Sequence, residues 1–268
     1  MEKPFTFIDT HAHLDGEEFN DDRDEVVARA KAAGISHIFI PAIDLQSVGT
    51  VLQTCSRYPG YALPMIGLHP EEVRQDWRQV LSQMKAMLPS HPFIAIGEVG
   101  LDYYWSREFE QEQLQAFEEQ VRWSVETRLP LMIHCRKAQN EMVRLLRNYE
   151  SELPGGVFHC FTGNAHEAEE LLQFERFVLG IGGVLTFKKS HLPEVLPQSV
   201  PLQRIVLETD SPYMAPVPMR GKRNESAFVG HVLKRLAESY QVSEEEVARI
   251  TNQNVERVFG TIDGLKNE

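Results

Sequence analysis

The sequence predicts a single α/β domain, a (β/α)8 TIM barrel spanning residues 1–268. Three observations carry this: eight short apolar runs of strand length, polar segments of helical periodicity between them, and no composition break that marks a second domain. A length of 268 residues suits one barrel, which typically takes ~250. With 42% hydrophobic and 25% charged residues, the composition is that of an ordinary globular protein with a sizeable core.

The runs 5–10, 37–41, 62–67, 93–98, 130–134, 156–159, 177–182 and 204–209 are rich in Ile, Val, Phe and Leu. Strands apolar on both faces pair in parallel, and parallel neighbours require a crossover, so runs alternating with helical segments point to successive βα units. The first crossover is a helix over 24–33 that stops at Gly34, a residue suited to the left-handed cap. Between the fourth and fifth runs, Leu114, Phe117, Val121 and Val125 recur every three or four residues and form an apolar stripe that can lie on a sheet. Near the end, Ser243 and Glu246 have the spacing of a capping box and open a helix containing Val247 and Ile250. Eight such units suggest closure. The competing open, doubly wound sheet lacks its glycine-rich turn after the first strand, where His11-Ala12-His13 stands instead.

Chemistry collects at the strand ends. His11 and His13 are separated by one residue, so strand alternation gives both imidazoles one face. Glu98, His134 and His159 each end a run, and Asp210 follows the eighth. In a barrel these positions share the mouth where active sites are built, so six ligand-type side chains converge. Each alone reads as an ordinary polar group with a local partner. Together they crowd buried polar and charged groups into one volume, a cost that cations relieve. One open catalytic cation usually takes three protein ligands, so this set implies two divalent ions. A natural partition gives His11, His13 and Asp210 to one, His134 and His159 to the other, and Glu98 to both. Mg, Mn and Zn are the candidate metals. Paired cations activate water for ester hydrolysis, and Asp210 either accepts the proton of that water or serves only as a ligand.

Beyond this constellation the sequence resembles a known family. The words Phe7-Ile8-Asp9-Thr10-His11-Ala12-His13-Leu14, Gly67-Leu68-His69-Pro70, Gly97-Glu98-Val99-Gly100-Leu101-Asp102, His134-Cys135-Arg136, His159-Cys160-Phe161-Thr162-Gly163 and Glu208-Thr209-Asp210-Ser211-Pro212 occur in the order found in TatD-like deoxyribonucleases of the metal-dependent hydrolase superfamily. The resemblance covers nearly the whole chain and departs at no ligand position. It implies a (β/α)8 barrel, divalent metals at the six positions above, and hydrolysis of DNA phosphodiesters, often as a 3′ to 5′ exonuclease. The segment from Arg220 to Asn224 also resembles that family's basic loop after the last strand.

Other assignments are secondary. His69, before Pro70, either contacts the scissile phosphate or orients a metal ligand, and Arg136 either clamps a phosphate or forms a structural ion pair. Arg220, Lys222 and Arg223 are expected to grip backbone phosphates. For Tyr103, Tyr104 and Trp105, loop packing is preferred over base stacking. His37, His91, His166, His191 and His231 are set aside as surface or packing residues.

The formal net charge of -12 argues against a nucleic-acid coat, while leaving room for an enzyme whose metals reverse the local field. The expected substrate is DNA as single strands or frayed ends, with no obligate protein partner. The first residues lack the features of a signal peptide, and no apolar stretch approaches bilayer length. Cys55, Cys135 and Cys160 are odd in number and lack CxxC spacing, so the chain reads as cytoplasmic. The alternative function is another two-metal barrel hydrolase acting on small esters, lactones, amides or phosphate esters; many of those bridge their metals with a modified lysine, and Glu98 weighs against that version. A catalytically silent binding protein is the third reading, and the complete ligand set weighs against it.

Overall fold

The computed structural model describes residues 5–262, in which eight parallel strands alternate with helices. The strands are β1 (Phe7–Asp9), β2 (Ile35–Pro41), β3 (Ala62–Ile66), β4 (Ala95–Asp102), β5 (Leu131–Arg136), β6 (Gly156–Phe158), β7 (Phe177–Ile181) and β8 (Ile205–Leu207). Helices α1 (Arg23–Ala32), α2 (Leu45–Arg57), α3 (Trp77–Met87), α4 (Glu110–Thr127), α5 (Gln139–Arg147), α6 (Ala165–Leu172) and α7 (Leu192–Ser199) are the crossovers, and α8 (Val229–Tyr240) and α9 (Glu244–Phe259) follow β8. The strands lie side by side in chain order from β1 to β8.

The ring is completed where the last strand returns to the first. Thr10 donates its backbone N–H to the Leu207 carbonyl (3.0 Å), and Ala12 bridges Ser211 in parallel. Just above, the buried Asp9 carboxylate accepts from the Thr209 backbone N–H (2.9 Å) and hydroxyl (2.6 Å). A side-chain pair therefore fastens the seam between two strands of only three residues each.

Two apolar layers result from the period-two alternation of strands. The outer layer lies between sheet and helices and includes Phe117 and Val121 of the α4 stripe, with Leu114 and Val125 half-buried at its edge. The inner layer takes one residue from each strand: Ile8, Phe39, Met65, Ala95, Met132, Val157, Val178 and Val206. Val255, Val258 and Phe259 of α9 pack onto it, with the Phe259 ring edge-on to Phe39 at 4.9 Å, so the last helix plugs the mouth opposite the strand C-termini. Two residues further along the same inward face come Gly67, His134, His159, Gly180 and Glu208. The interior thus changes from apolar to polar within one step of the pleat.

Element ends differ in places from the sequence expectation. β4 and β5 run on to Asp102 and Arg136, so Glu98 and His134 lie within strands rather than at their ends. The extension is possible because Gly100, at φ +143°, lets the two backbones approach: a Cβ there would sit 1.9 Å from the His134 carbonyl oxygen. Gly34 takes the expected positive φ (+94°) after α1. The expected capping box at α9 is half present: Ser243 accepts from the Glu246 N–H, but the Glu246 carboxylate turns to Arg249 instead.

Candidate metal centre

Strand alternation explains most of the site and fails at Glu98 in an informative way. With Ala95 in the inner layer and Ile96 in the outer, strict alternation would send Glu98 outward. The β4–β5 register slips between Ile96 and Val99, and Glu98 faces the barrel axis instead. β1 ends at Asp9, so His11 and His13 reach the centre from irregular chain beyond it rather than from the pleat. Asp210 and Cys160 turn their backbones through left-handed φ values (+54° and +51°) as the chain leaves β8 and β6.

The six expected residues come together around Glu98. Its Oε2 lies 3.2 Å from His11 Nε2 and 3.6 Å from His13 Nε2. Its Oε1 lies 3.1 Å from His134 Nδ1 and 3.2 Å from His159 Nε2. Asp210 Oδ1 stands 3.8 Å from His11 Nε2 and 3.6 Å from His13 Nε2. Donor atoms of His11, His13 and Asp210 thus form one group, those of His11, Glu98 and His159 a second, and those of His69, Glu98 and His134 a third.

Two carboxylates behind the imidazoles orient these rings. His134 Nε2 lies 2.9 Å from Asp102 Oδ2, and His159 Nδ1 lies 3.2 Å from Glu208 Oε1, which also accepts from the Cys160 N–H at 2.6 Å. Each pair leaves the ring's other nitrogen directed at Glu98. Neither Asp102 nor Glu208 was singled out by the sequence reading. A usable signal existed for Glu208, which stands two residues after Val206 on the inward face. α4 adds two buried amides on one face, seven residues apart. Gln113 exchanges two hydrogen bonds with the Asp102 backbone, and Gln120 does the same with Leu68 beside His69.

Electrostatics show what the centre demands. Burial alone would raise the Glu98 carboxyl, yet the facing imidazoles of His69, His11 and His159 hold it well below the usual carboxylate range. Burial opposes charge on His134, but Asp102 and Glu98 outweigh it and lift its pKa to about 9. His159 is likewise raised against burial by Glu208 and Glu98. His11 moves the other way, lowered by burial and by His159, whose ring stacks on it at 3.8 Å. The carboxylates therefore call for positive charge at the ring nitrogens, which protons or cations can supply. His11 fits the cation. It is fully buried, neither ring nitrogen has a hydrogen-bond partner among the described residues, and its Nε2 faces two carboxylate oxygens. A bound cation between that nitrogen and the two carboxylates would stabilise the arrangement without a proton on the ring nitrogen that faces them.

The secondary expectations fare unevenly. His69 lines the cavity, but its Nδ1 accepts the Glu71 N–H and its Nε2 sits 3.3 Å from Glu98 Oε1, a geometry that holds Glu98 in place. Arg136 also lines the cavity, and its guanidinium lies 3.6 Å from the Tyr104 ring centroid rather than in an ion pair with a described residue. The basic loop is largely engaged elsewhere. Arg223 pairs with Asp22 at 2.7 Å, Arg220 lies over Phe187 at 4.0 Å, and buried Asn224 braces the carbonyls of Thr209 and Tyr213. Lys222 is exposed. Tyr103 is buried as expected for packing, whereas Tyr104 and Trp105 are exposed.

A model of TatD-related DNases matches residues 8–260. The chain belongs to the TatD-related DNase family. It is 36% identical over 252 residues to the uncharacterized metal-dependent hydrolase YabD of Bacillus subtilis (strain 168), covering 94% of this chain and 98% of that relative. It is 34% identical over 258 residues to the 3′-5′ ssDNA/RNA exonuclease TatD of Pectobacterium atrosepticum, again covering 94% and 98%. Among solved structures, YJJV, a TatD homolog from Escherichia coli K12, has a TM-score of 0.88 and 28% identity over 95% of this chain and 98% of that one. As a TatD-family protein the chain is a metal-dependent hydrolase acting on ester bonds. No helix among the described residues is long and apolar enough to cross a membrane, and Cys55, Cys135 and Cys160 are free thiols.

Proposed function

We propose that this TatD-family hydrolase is a deoxyribonuclease that removes nucleotides in the 3′ to 5′ direction from single-stranded or frayed DNA, using two divalent cations. The observation that carries the reading is the division of Glu98, one oxygen toward His11 and His13 and the other toward His134 and His159. That division suits a carboxylate shared by two ions, with His11, His13 and Asp210 on one side and His134 and His159 on the other. When bound, such ions supply Lewis acidity to the scissile phosphate and a lowered pKa to the attacking water. Mg, Mn and Zn each suit a set of this composition.

The protein's own residues then divide the remaining work. Asp210 is 19% exposed toward the cavity against 3% for Glu98, so it is the ligand carboxylate within reach of the attacking water, whose proton it accepts. His69 holds Glu98, and Arg136 offers its guanidinium to a phosphate oxygen from the cavity wall. The free thiols agree with a cytoplasmic location, and no second protein is needed to complete the site.

The test resupplies metal-stripped protein with Mg, Mn or Zn and follows single- and double-stranded DNA, RNA, lactones and phosphate monoesters. Mononucleotide release from the 3′ end, abolished by Glu98→Ala together with metal binding, is the expected result. Turnover of lactones with none of nucleic acid would replace this reading by a small-ester hydrolase. Full activity in Glu98→Ala would remove the two-metal centre from the account.

A further inference from the structure

We infer that the two walls of the active-site cavity form stacking subsites for unpaired nucleobases on either side of the scissile phosphodiester, with Trp105 on one wall and Tyr213 on the other. This rests on the nuclease reading above and names the chemistry by which that site grips its substrate.

The distribution of exposed apolar side chains carries the inference. Six large ones are exposed among the described residues, and three of them, Trp105, Tyr213 and Met214, line the same cavity as Glu98, a space of about 730 Å³. A fourth, Tyr104, packs edge-on against Trp105 at 5.0 Å. Isolated exposed apolar residues are unremarkable on a protein surface, but a group gathered at one mouth marks a contact surface. Trp105 is 66% exposed and Tyr213 57%, so both residues are largely open to solvent. Trp105 follows β4 and Tyr213 follows β8. In a ring of eight strands in chain order these are diametrically opposed, which puts one ring on each side of the metal centre. Tyr213 stands edge-on to His13 at 6.2 Å, and the Arg136 guanidinium lies 3.6 Å from Tyr104 and 5.3 Å from Trp105. A base stacked at either ring would leave its phosphate near the cations and Arg136.

Charge argues that stacking is needed. The chain carries a net charge of -12, and Asp15, Glu18, Glu71 and Glu72 also line the cavity. Arg220 and Arg223 have their heads engaged with Phe187 and Asp22. A polyanion therefore meets a repulsive rim, and outside the metals and Arg136 the affinity must come from π-faces, which every base offers. Bases paired within a duplex cannot offer them, so the same walls select single strands.

The experiment measures cleavage and binding of a short oligodeoxyadenylate by the wild type, Trp105→Ala, Trp105→Phe and Tyr213→Ala, with matched oligonucleotides made abasic at single positions near the 3′ end. Each alanine variant should raise KM about 5- to 100-fold with little change in kcat. Trp105→Phe should restore most of the loss, and an abasic residue at the responsible position should erase the penalty of the variant. An equal penalty on normal and abasic substrates, or none on either, overturns the subsites. Binding should weaken only gently with added salt; a steep loss would assign affinity to phosphate contacts instead. Trp77 and Trp123 are buried, so acrylamide quenching of fluorescence reports Trp105, and the normal oligonucleotide should shield it while a fully abasic one should not. That measurement decides the subsites even if the wild type releases no nucleotides, a result that would refute only the nuclease reading.

Discussion

Gly180→Ala adds one methyl group two residues beyond the inner apolar layer, and its effect can be worked out from contacts. An added Cβ would lie 2.1 Å from Glu208 Oε2 and 2.8 Å from its Cδ, whereas ordinary contact begins near 3.4 Å. Glu208 must therefore move by about 1 Å. It is fully buried, and although its Oε2 has no hydrogen-bond partner among the described residues, its Oε1 takes the Cys160 N–H at 2.6 Å and faces His159 Nδ1 at 3.2 Å. The displacement carries His159 away from Glu98. Overpacking of this kind costs about 1–3 kcal/mol, which for a chain of this size lowers Tm by roughly 2–6 °C. Loss of a carboxylate that orients a ligating histidine lowers metal affinity about 10- to 100-fold. Gly182→Ala is the control, because its Cβ would meet Glu208 at 3.5 Å or more, an ordinary contact. Scanning calorimetry, titration with Mn and kcat/KM on single-stranded DNA read the three effects. Wild-type metal affinity in Gly180→Ala, or an equal loss in Gly182→Ala, would refute the link from Gly180 through Glu208 to His159.

Two further substitutions probe other supports of the site. Asp102→Ala removes the carboxylate 2.9 Å from His134 Nε2 and should weaken metal binding about 10- to 100-fold, with Asp102→Asn in between; unchanged affinity by calorimetric titration would deny Asp102 its orienting role. Phe39→Ala empties the inner layer beneath α9 and should destabilise the fold by about 3–5 kcal/mol in urea titration, while metal affinity of the folded protein stays near wild type. A shift below about 1 kcal/mol would show that α9 does not seal that mouth.

The barrel and the residues gathered at its centre were legible because both leave periodic or positional marks. Eight apolar runs require eight places in a sheet, and five of them carry a ligand-type residue at or just beyond the same edge. His134 and His159 follow Met132 and Val157 by two residues, so the pleat alone aims them inward. Glu98 was found by its residue type and position near the end of an apolar run; the register slip that turns it inward has no signature in the chain. Asp102, Gln113 and Gln120 were missed for a related reason. Their partners are a ring nitrogen and backbone groups on other elements, and polar residues on a helix otherwise read as its solvent face. The basic loop was over-read. Its arginines looked available in one dimension, but Asp22 and Phe187, far away along the chain, claim them.

The seam fastened by Asp9 and Thr209 joins residues 200 positions apart, and it carries His11 and His13 on one margin and Asp210 on the other. During synthesis at about 5–20 residues per second, the first two histidines wait roughly 10–40 s for their carboxylate to be made. A nascent or truncated chain can have most of its helices and still lack a complete centre. With Asp210 in its proposed role, hydrolytic competence is withheld until the polypeptide has gone full circle, and nuclease activity becomes a direct readout of ring completion.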